Sequence, residues 1–90
     1  MAQTFFPKMH IMVAASKPHP KNTQYKVSVG EEIWEDAKHL VTKVQMVYDG
    51  KVAGRRSPSY PIGTNDHQNV IQAEQKLLEL YNNTTDITIE

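Results

Sequence analysis

The chain has 90 residues, with ten basic and ten acidic side chains, four histidines and no cysteine. Its composition, 39% hydrophobic and 22% charged, is that of one small globular domain over residues 1–90 and excludes intrinsic disorder and disulfide-stabilised folding. The zero net charge argues against non-specific nucleic-acid binding, which usually shows as a basic excess, and no apolar run reaches the ~20 residues that span a bilayer.

The first predicted element is a strand over residues 5–15, because apolar and mixed side chains alternate there. One face carries Phe5, Met9, Ile11, Val13 and Ala15. Pro7 cannot donate a hydrogen bond to a neighbouring strand, so the first residues are expected to lie at a sheet edge or at the start of a strand. Residues 16–23 hold two prolines and two lysines and are expected to form a mobile surface loop.

A second strand is indicated by Tyr25, Val27 and Val29, which alternate with polar residues. Residues 30–48 support two interpretations. Their apolar side chains fit the spacing of one long helix ending at Gly50, but their β-branched content favours a strand from about Leu40 to Tyr48.

In the favoured interpretation, residues 31–38 form a turn or a short helical piece. The Asp49-Gly50 pair is a strong hairpin signal and turns the chain into a further strand over residues 51–57. Residues 55–63 contain two prolines and two serines and are expected to be irregular.

A main helix is predicted over about residues 65–82, preceded by residues with capping side chains. Its apolar stripe consists of Val70, Ala73, Leu77, Leu80 and Tyr81, broadened by Ile71 and Leu78. Residues 86–89 are expected to add a short last strand. The predicted fold is therefore α+β, an antiparallel sheet of three to five strands packed against one main C-terminal helix.

The stretch from Arg55 to Tyr60 is the most suggestive of ligand binding, because the planar guanidinium of arginine matches oxyanions. Its polar residues are Arg55, Arg56, Ser57, Ser59 and Tyr60. The two arginines can converge on one anion only if the preceding strand ends at Gly54, since successive strand residues point to opposite faces. The alternative is a pair of solvated arginines beside a turn.

Two further residues are candidates for contacts. Glu74 projects within the apolar arc of the helix, where a buried carboxylate needs a partner, and Arg55 or Arg56 is expected to supply it. Otherwise Glu74 lies at the rim, or this face meets another chain. Trp34 stands among acidic residues and is either an interface anchor or part of the core.

No motif for catalysis or for metal binding is found. The spacing of zinc ligands is absent from His10, His19, His39 and His67. The sequence also lacks a nucleophile elbow, a phosphate-binding glycine loop and a dinucleotide motif. We therefore expect no enzymatic activity, no metal and no cofactor.

The order of strand, Asp-Gly turn, strand and helix resembles the end of double-stranded-RNA-binding domains. Such domains place a lysine cluster at the start of the helix, where this chain has residues 64–68, with the sequence TNDHQ. The chain is therefore not assigned to that family.

Three functions are compatible with these features. The leading one is a small non-catalytic protein that acts through protein–protein contact, as a regulator or inhibitor and as a homodimer. It is expected to be cytoplasmic, because cysteine is absent and residues 1–8 do not resemble a secretory signal. The second is a module for small anions or nucleotides built from the Arg55-Tyr60 segment. The third is nucleic-acid binding through Lys17, Lys21, Lys51, Arg55 and Arg56.

Overall fold

The computed structural model describes the backbone of residues 4–89 and the side chains of residues 4–83. These residues form strands β1 (Phe5–Ala14), β2 (Thr23–Trp34), β3 (Ala37–Tyr48) and β4 (Lys51–Ala53) and the helix α1 (Asp66–Ile89). The strands make one antiparallel sheet in the order β1-β2-β3-β4, and α1 packs against β1 and β2. The predicted α+β fold is confirmed, and β1 lies at an edge of the sheet, which is one of the two positions expected from Pro7.

The long β2–β3 hairpin is where the structure departs most from the prediction. Its strands have 12 residues each and are joined at Glu35 and Asp36, whose φ angles of 51° and 65° are typical of a type I′ turn. Residues 31–38 therefore continue one strand and begin the next, so both the short helical piece and the single long helix are wrong. This turn contains no glycine, and glycine is the residue by which such turns are usually identified in a sequence.

The Asp49-Gly50 turn is confirmed, with φ angles of 50° and 80°. The strand that follows is shorter than predicted, because β4 ends at Ala53 instead of continuing to residue 57. The helix is longer than predicted. It continues to Ile89, so the expected last strand over residues 86–89 is wrong.

A β-bulge at Lys8 divides β1 into two parts. The alternation of side chains between the two faces of the sheet is reversed from one part to the other. Met9 pairs with Val29 on the helix side of the sheet, whereas Phe5 pairs with Glu32. Since directly opposed residues of antiparallel strands share a face, Phe5 lies on the face away from α1. The expectation that Phe5 and Met9 share a face is wrong, because the bulge adds one residue to the strand.

The core lies between α1 and the sheet. Its buried residues are Tyr25, Val27, Val29 and Met46 from the strands and Val70, Ala73 and Leu77 from the helix. The helical part of this core confirms the predicted stripe. Ile71, Leu78 and Leu80 are exposed, so the stripe is narrower than the sequence indicates.

The carboxylate of Asp66, the first residue of α1, is buried and only 1% exposed. Its Oδ2 accepts hydrogen bonds from the Ser16 backbone N–H at 2.8 Å and from the Tyr25 hydroxyl at 2.7 Å, and its Oδ1 accepts one from the Ser16 hydroxyl. Burial alone would raise the pKa of Asp66, but these hydrogen bonds outweigh it and hold the pKa below its ordinary value. Asp66 thereby joins the start of the helix to the sheet.

The loop between β1 and β2 has contacts along its length. His19 Nε2 lies 2.8 Å from the Ser59 carbonyl oxygen, and the His19 ring packs edge-on against Tyr25 with centroids 5.8 Å apart. The Thr23 hydroxyl donates to the Pro20 carbonyl at 2.6 Å. The mobility expected for residues 16–23 stays a prediction, and these contacts place the loop beside residues 59–66.

We expect Gly30→Ala to destabilise the fold. A Cβ at this position would lie 2.4 Å from the Phe6 carbonyl oxygen and 2.7 Å from Pro7 Cα, and backbone atoms cannot rotate away. The free energy of unfolding, measured by urea titration, should fall by about 1–3 kcal/mol. The control is Gly54→Ala, whose Cβ would meet nothing within 4 Å and should be neutral or slightly stabilising. Equal midpoints for the two variants would contradict this close approach.

We expect Asp66→Asn to lower the free energy of unfolding at pH 7 by about 1–3 kcal/mol, because an amide cannot accept all the hydrogen bonds that the carboxylate accepts. Since the folded pKa lies below the unfolded value, this contribution is present above pH ~4 and is lost as the pH falls through the folded pKa. The wild type and the variant should therefore converge in acid. Glu79→Gln, at an exposed position of α1, is the control. A wild-type advantage that stayed constant from pH 7 to pH ~2 would contradict the assignment.

Candidate functional site

The segment after β4 turns sharply out of the sheet. The Arg56 backbone N–H donates to the Ala53 carbonyl at 3.1 Å, which closes a turn directly after the strand. Arg55 and Arg56 therefore lie beyond the strand, as their convergence requires. Both line one depression of about 220 Å³. The other residues lining it are Lys43, Val44, Gln45, Gly54, Ser57 and Pro58.

This surface, which we call the cationic depression, has no acidic residue in its lining. The Lys43 ammonium already has an acidic partner, because it donates a hydrogen bond to Glu32. That bond, together with one from the Trp34 indole, lowers the pKa of Glu32. The arginines differ from Lys43, since neither forms an ion pair with any residue that the structure describes. Two guanidiniums are thus available to an external anion.

A second and larger depression, of about 410 Å³, adjoins the first at Arg56. Flat side chains make up most of its lining, and no carboxylate is present. The residues that line it are Pro18, His19, Pro20, Tyr48, Arg56, Ser59, Tyr60 and Pro61. The Arg56 guanidinium carbon lies 5.6 Å from the Tyr48 ring centroid, within the range of a cation–π contact. We call this surface the aromatic groove.

Tyr60 is held in the groove by rings on two sides. It stacks on His67 with centroids 4.5 Å apart, and it tilts against Tyr25 at 5.2 Å. Burial raises the pKa of the Tyr60 hydroxyl, and the charge of Glu74 raises it further. The hydroxyl is therefore protonated at neutral pH and can donate a hydrogen bond.

The backbone beside Tyr60 is anchored as well. The Ser59 carbonyl oxygen lies 2.8 Å from the Tyr25 hydroxyl and 2.8 Å from His19 Nε2. Two separate parts of the chain, the first loop and β2, therefore position the segment that carries the candidate ligand-binding residues. The residues whose contacts form the groove wall are far apart in the sequence, so no local sequence pattern predicts these contacts.

Most of the predicted site residues come together here. Arg55, Arg56 and Ser57 line the cationic depression, and Ser59 and Tyr60 line the aromatic groove with Arg56. The expected ion pair between Glu74 and an arginine is absent among the described residues. Its absence has a geometric reason, because α1 packs on β1 and β2 whereas the arginines lie beside β3 and β4. Glu74 is half-buried beside Tyr60.

Trp34 lies away from this site, at the turn end of the β2–β3 hairpin. Its ring stacks on His39 with centroids 5.0 Å apart, and its indole N–H donates to Glu32 at 2.7 Å. It is exposed and is therefore no core residue. The lysines of the nucleic-acid hypothesis are also outside the site, since Lys17, Lys21 and Lys51 line neither depression.

Sequence reasoning missed the groove residues from other parts of the chain. Tyr48 was interpreted only as part of a strand, and Pro18, His19 and Pro20 only as a loop. The Pro-His-Pro triplet was visible, but nothing local indicates that it faces the segment after β4.

Within the described part of the chain, no three histidine, aspartate or glutamate side chains gather to form a metal site. No helix there combines the length and the apolar character needed to cross a membrane. No family model, no curated protein sequence and no solved structure matches this chain. The function is therefore argued from the geometry of the site.

Proposed function

We propose that this chain is a small non-catalytic binding protein whose ligand is a phosphate-type anion held by Arg55 and Arg56. The observation that carries the proposal is that two guanidiniums without a carboxylate partner line one depression of about 220 Å³. This is the second function that the sequence indicated. We place the protein in the cytoplasm on the absence of cysteine.

The chemistry of the lining fits a tetrahedral oxyanion. Each guanidinium presents N–H donors in a planar fork that can bind two oxygens of the same anion. Ser57 adds a hydroxyl donor, and the nearby Lys43 adds positive potential even though it is paired with Glu32. Both arginines are exposed, so water competes for these bonds. We expect a dissociation constant of about 0.1–1 mM for inorganic phosphate, equivalent to about −5.5 to −4 kcal/mol.

The lining supports binding in preference to catalysis. It contains no histidine and no carboxylate, which are the common general bases. Ser57 therefore has neither of these bases in the lining to activate its hydroxyl as a nucleophile, and the Lys43 ammonium is paired with Glu32. An anion held here would be bound without a group beside it to transform it.

We expect inorganic phosphate to shift the backbone amide resonances of residues 54–57 in an NMR titration. Arg55→Ala and Arg56→Ala should each weaken binding at least about tenfold, because each removes charge-assisted hydrogen bonds worth more than about 1.4 kcal/mol. Lys51→Ala is the matched control, since it removes a nearby cation that lines neither depression. The proposal fails if phosphate binds all three variants as it binds the wild type, or if it binds none of the proteins.

Protein–protein contact is a second candidate, with a second copy of this chain as the partner. It is favoured by the exposure of large apolar side chains at the turn end of the hairpin, where Phe6 and Leu40 both flank Glu31 in register and are 41% and 54% exposed. The outer edge of β1 also pairs with no other described strand, and such an edge can add a strand from another molecule.

We expect sedimentation equilibrium at micromolar concentration to show dimers if this surface pairs two copies. Phe6→Lys should then shift the chain to monomer, because it places a charge in the contact. Ile62→Lys, at a fully exposed position of the segment before α1, should leave the mass unchanged. A wild-type chain that is strictly monomeric would rule out the dimer.

A further inference from the structure

We infer that the anion bound by Arg55 and Arg56 is the phosphate of a ligand that also carries a flat aromatic ring, and that this ring occupies the aromatic groove. The inference rests on the proposed function and names the class of ligand. Its basis is that one side chain, Arg56, lines both surfaces. A group held at Arg56 is therefore at the mouth of the groove.

The size of the groove suits a small organic ligand. Its volume of about 410 Å³ is nearly twice the 220 Å³ of the cationic depression. Small-molecule sites commonly measure about 300–1,000 Å³. Inorganic phosphate alone would occupy only the depression and leave the groove to water, so the two surfaces together fit a larger molecule with one anionic end.

The groove walls suit a planar group. They combine the rings of His19, Tyr48 and Tyr60 with three prolines, and all of these present flat apolar surfaces. The ring of Tyr60 is already packed between Tyr25 and His67, so it supplies an edge and a hydroxyl. Tyr48 is a half-buried ring beside Arg56, with the guanidinium carbon 5.6 Å from its centroid. A ligand ring attached to a phosphate on Arg56 is therefore within reach of Tyr48.

The polar groups of the groove predict low selectivity among rings. The Ser59 carbonyl is already contacted by Tyr25 and His19, so it is occupied before a ligand arrives. With few free donors or acceptors aimed at a ring edge, stacking is the main contribution, and stacking accepts any flat ring. Purine and pyrimidine monophosphates should accordingly bind with similar affinity. The aromatic phosphate can come from a nucleotide or from a phosphotyrosine side chain.

The test compares six probes on the full chain by NMR titration. AMP, UMP and O-phosphotyrosine carry both groups, ribose 5-phosphate and inorganic phosphate carry only the anion, and adenosine carries only the ring. We expect AMP and UMP to bind at least about fivefold more tightly than ribose 5-phosphate, since stacking of one base on an aromatic side chain strengthens binding by about that factor or more. The amide resonances that shift should include those of Tyr48 and His19 as well as those of residues 54–57.

Variants separate the groove from the anion site. Tyr48→Leu keeps apolar bulk but removes the flat ring, so it should abolish the advantage of AMP over ribose 5-phosphate. Because the same ring contacts Arg56, the affinity for inorganic phosphate is measured on the variant and serves as the reference for both ligands. Tyr48→Ala is a second variant, used if its melting temperature shows that it folds. Trp34→Ala is the matched control, because it removes an exposed ring that lines neither depression.

The outcomes distinguish failure of the inference from failure of the proposed function. Equal affinity for AMP, ribose 5-phosphate and inorganic phosphate overturns the inference and leaves the proposed function standing. An AMP advantage that survives Tyr48→Leu overturns the groove assignment. Ring-dependent binding of O-phosphotyrosine without binding of the nucleotides supports an aromatic phosphate and favours phosphotyrosine as its source. Failure of all the phosphates to bind overturns the proposed function and the inference together.

Discussion

The buried carboxylate of Asp66 is the interaction on which the arrangement of the two layers depends. Removing a charge from water costs several kcal/mol unless hydrogen bonds replace the lost hydration. Ser16 and Tyr25 provide that replacement from the first loop and from the central strand β2. These hydrogen bonds form only when the first residue of α1 lies next to both Ser16 and Tyr25. Tyr25 and His19 also contact the Ser59 carbonyl oxygen, which positions the segment that precedes the helix.

The candidate site lies beside the part of the sheet that α1 does not cover. Because α1 covers β1 and β2, the outer part of the sheet is left to the irregular segment after β4, and that segment carries Arg55 and Arg56. The strands beneath this segment and the loop beside it hold the two arginine side chains in position. A loop without such support would not do so. Binding residues are often found on loops supported by a scaffold in this way.

The balance of charge over the whole chain conceals a local imbalance. The acidic residues of β2, Glu31 and Glu32, lie beside Lys8 and Lys43 and are matched by them, although the exposed pair contributes little to stability. The two arginines after β4 have no such partner among the described residues. A chain of zero net charge therefore still presents one cationic surface, beside a groove of rings and prolines.

The sequence by itself determined the elements whose signals are local: the β2 alternation, the Asp49-Gly50 turn, the apolar stripe of α1 and hence the α+β class. It also identified Arg55 to Tyr60 as the candidate binding segment. Only the tertiary structure decided the glycine-free turn at Glu35, the bulge at Lys8 and the end of β4, because hydrogen bonding to a neighbouring strand sets each of them. The groove likewise depends on residues far apart in the chain, and a local pattern carries no information about which distant segments pack together.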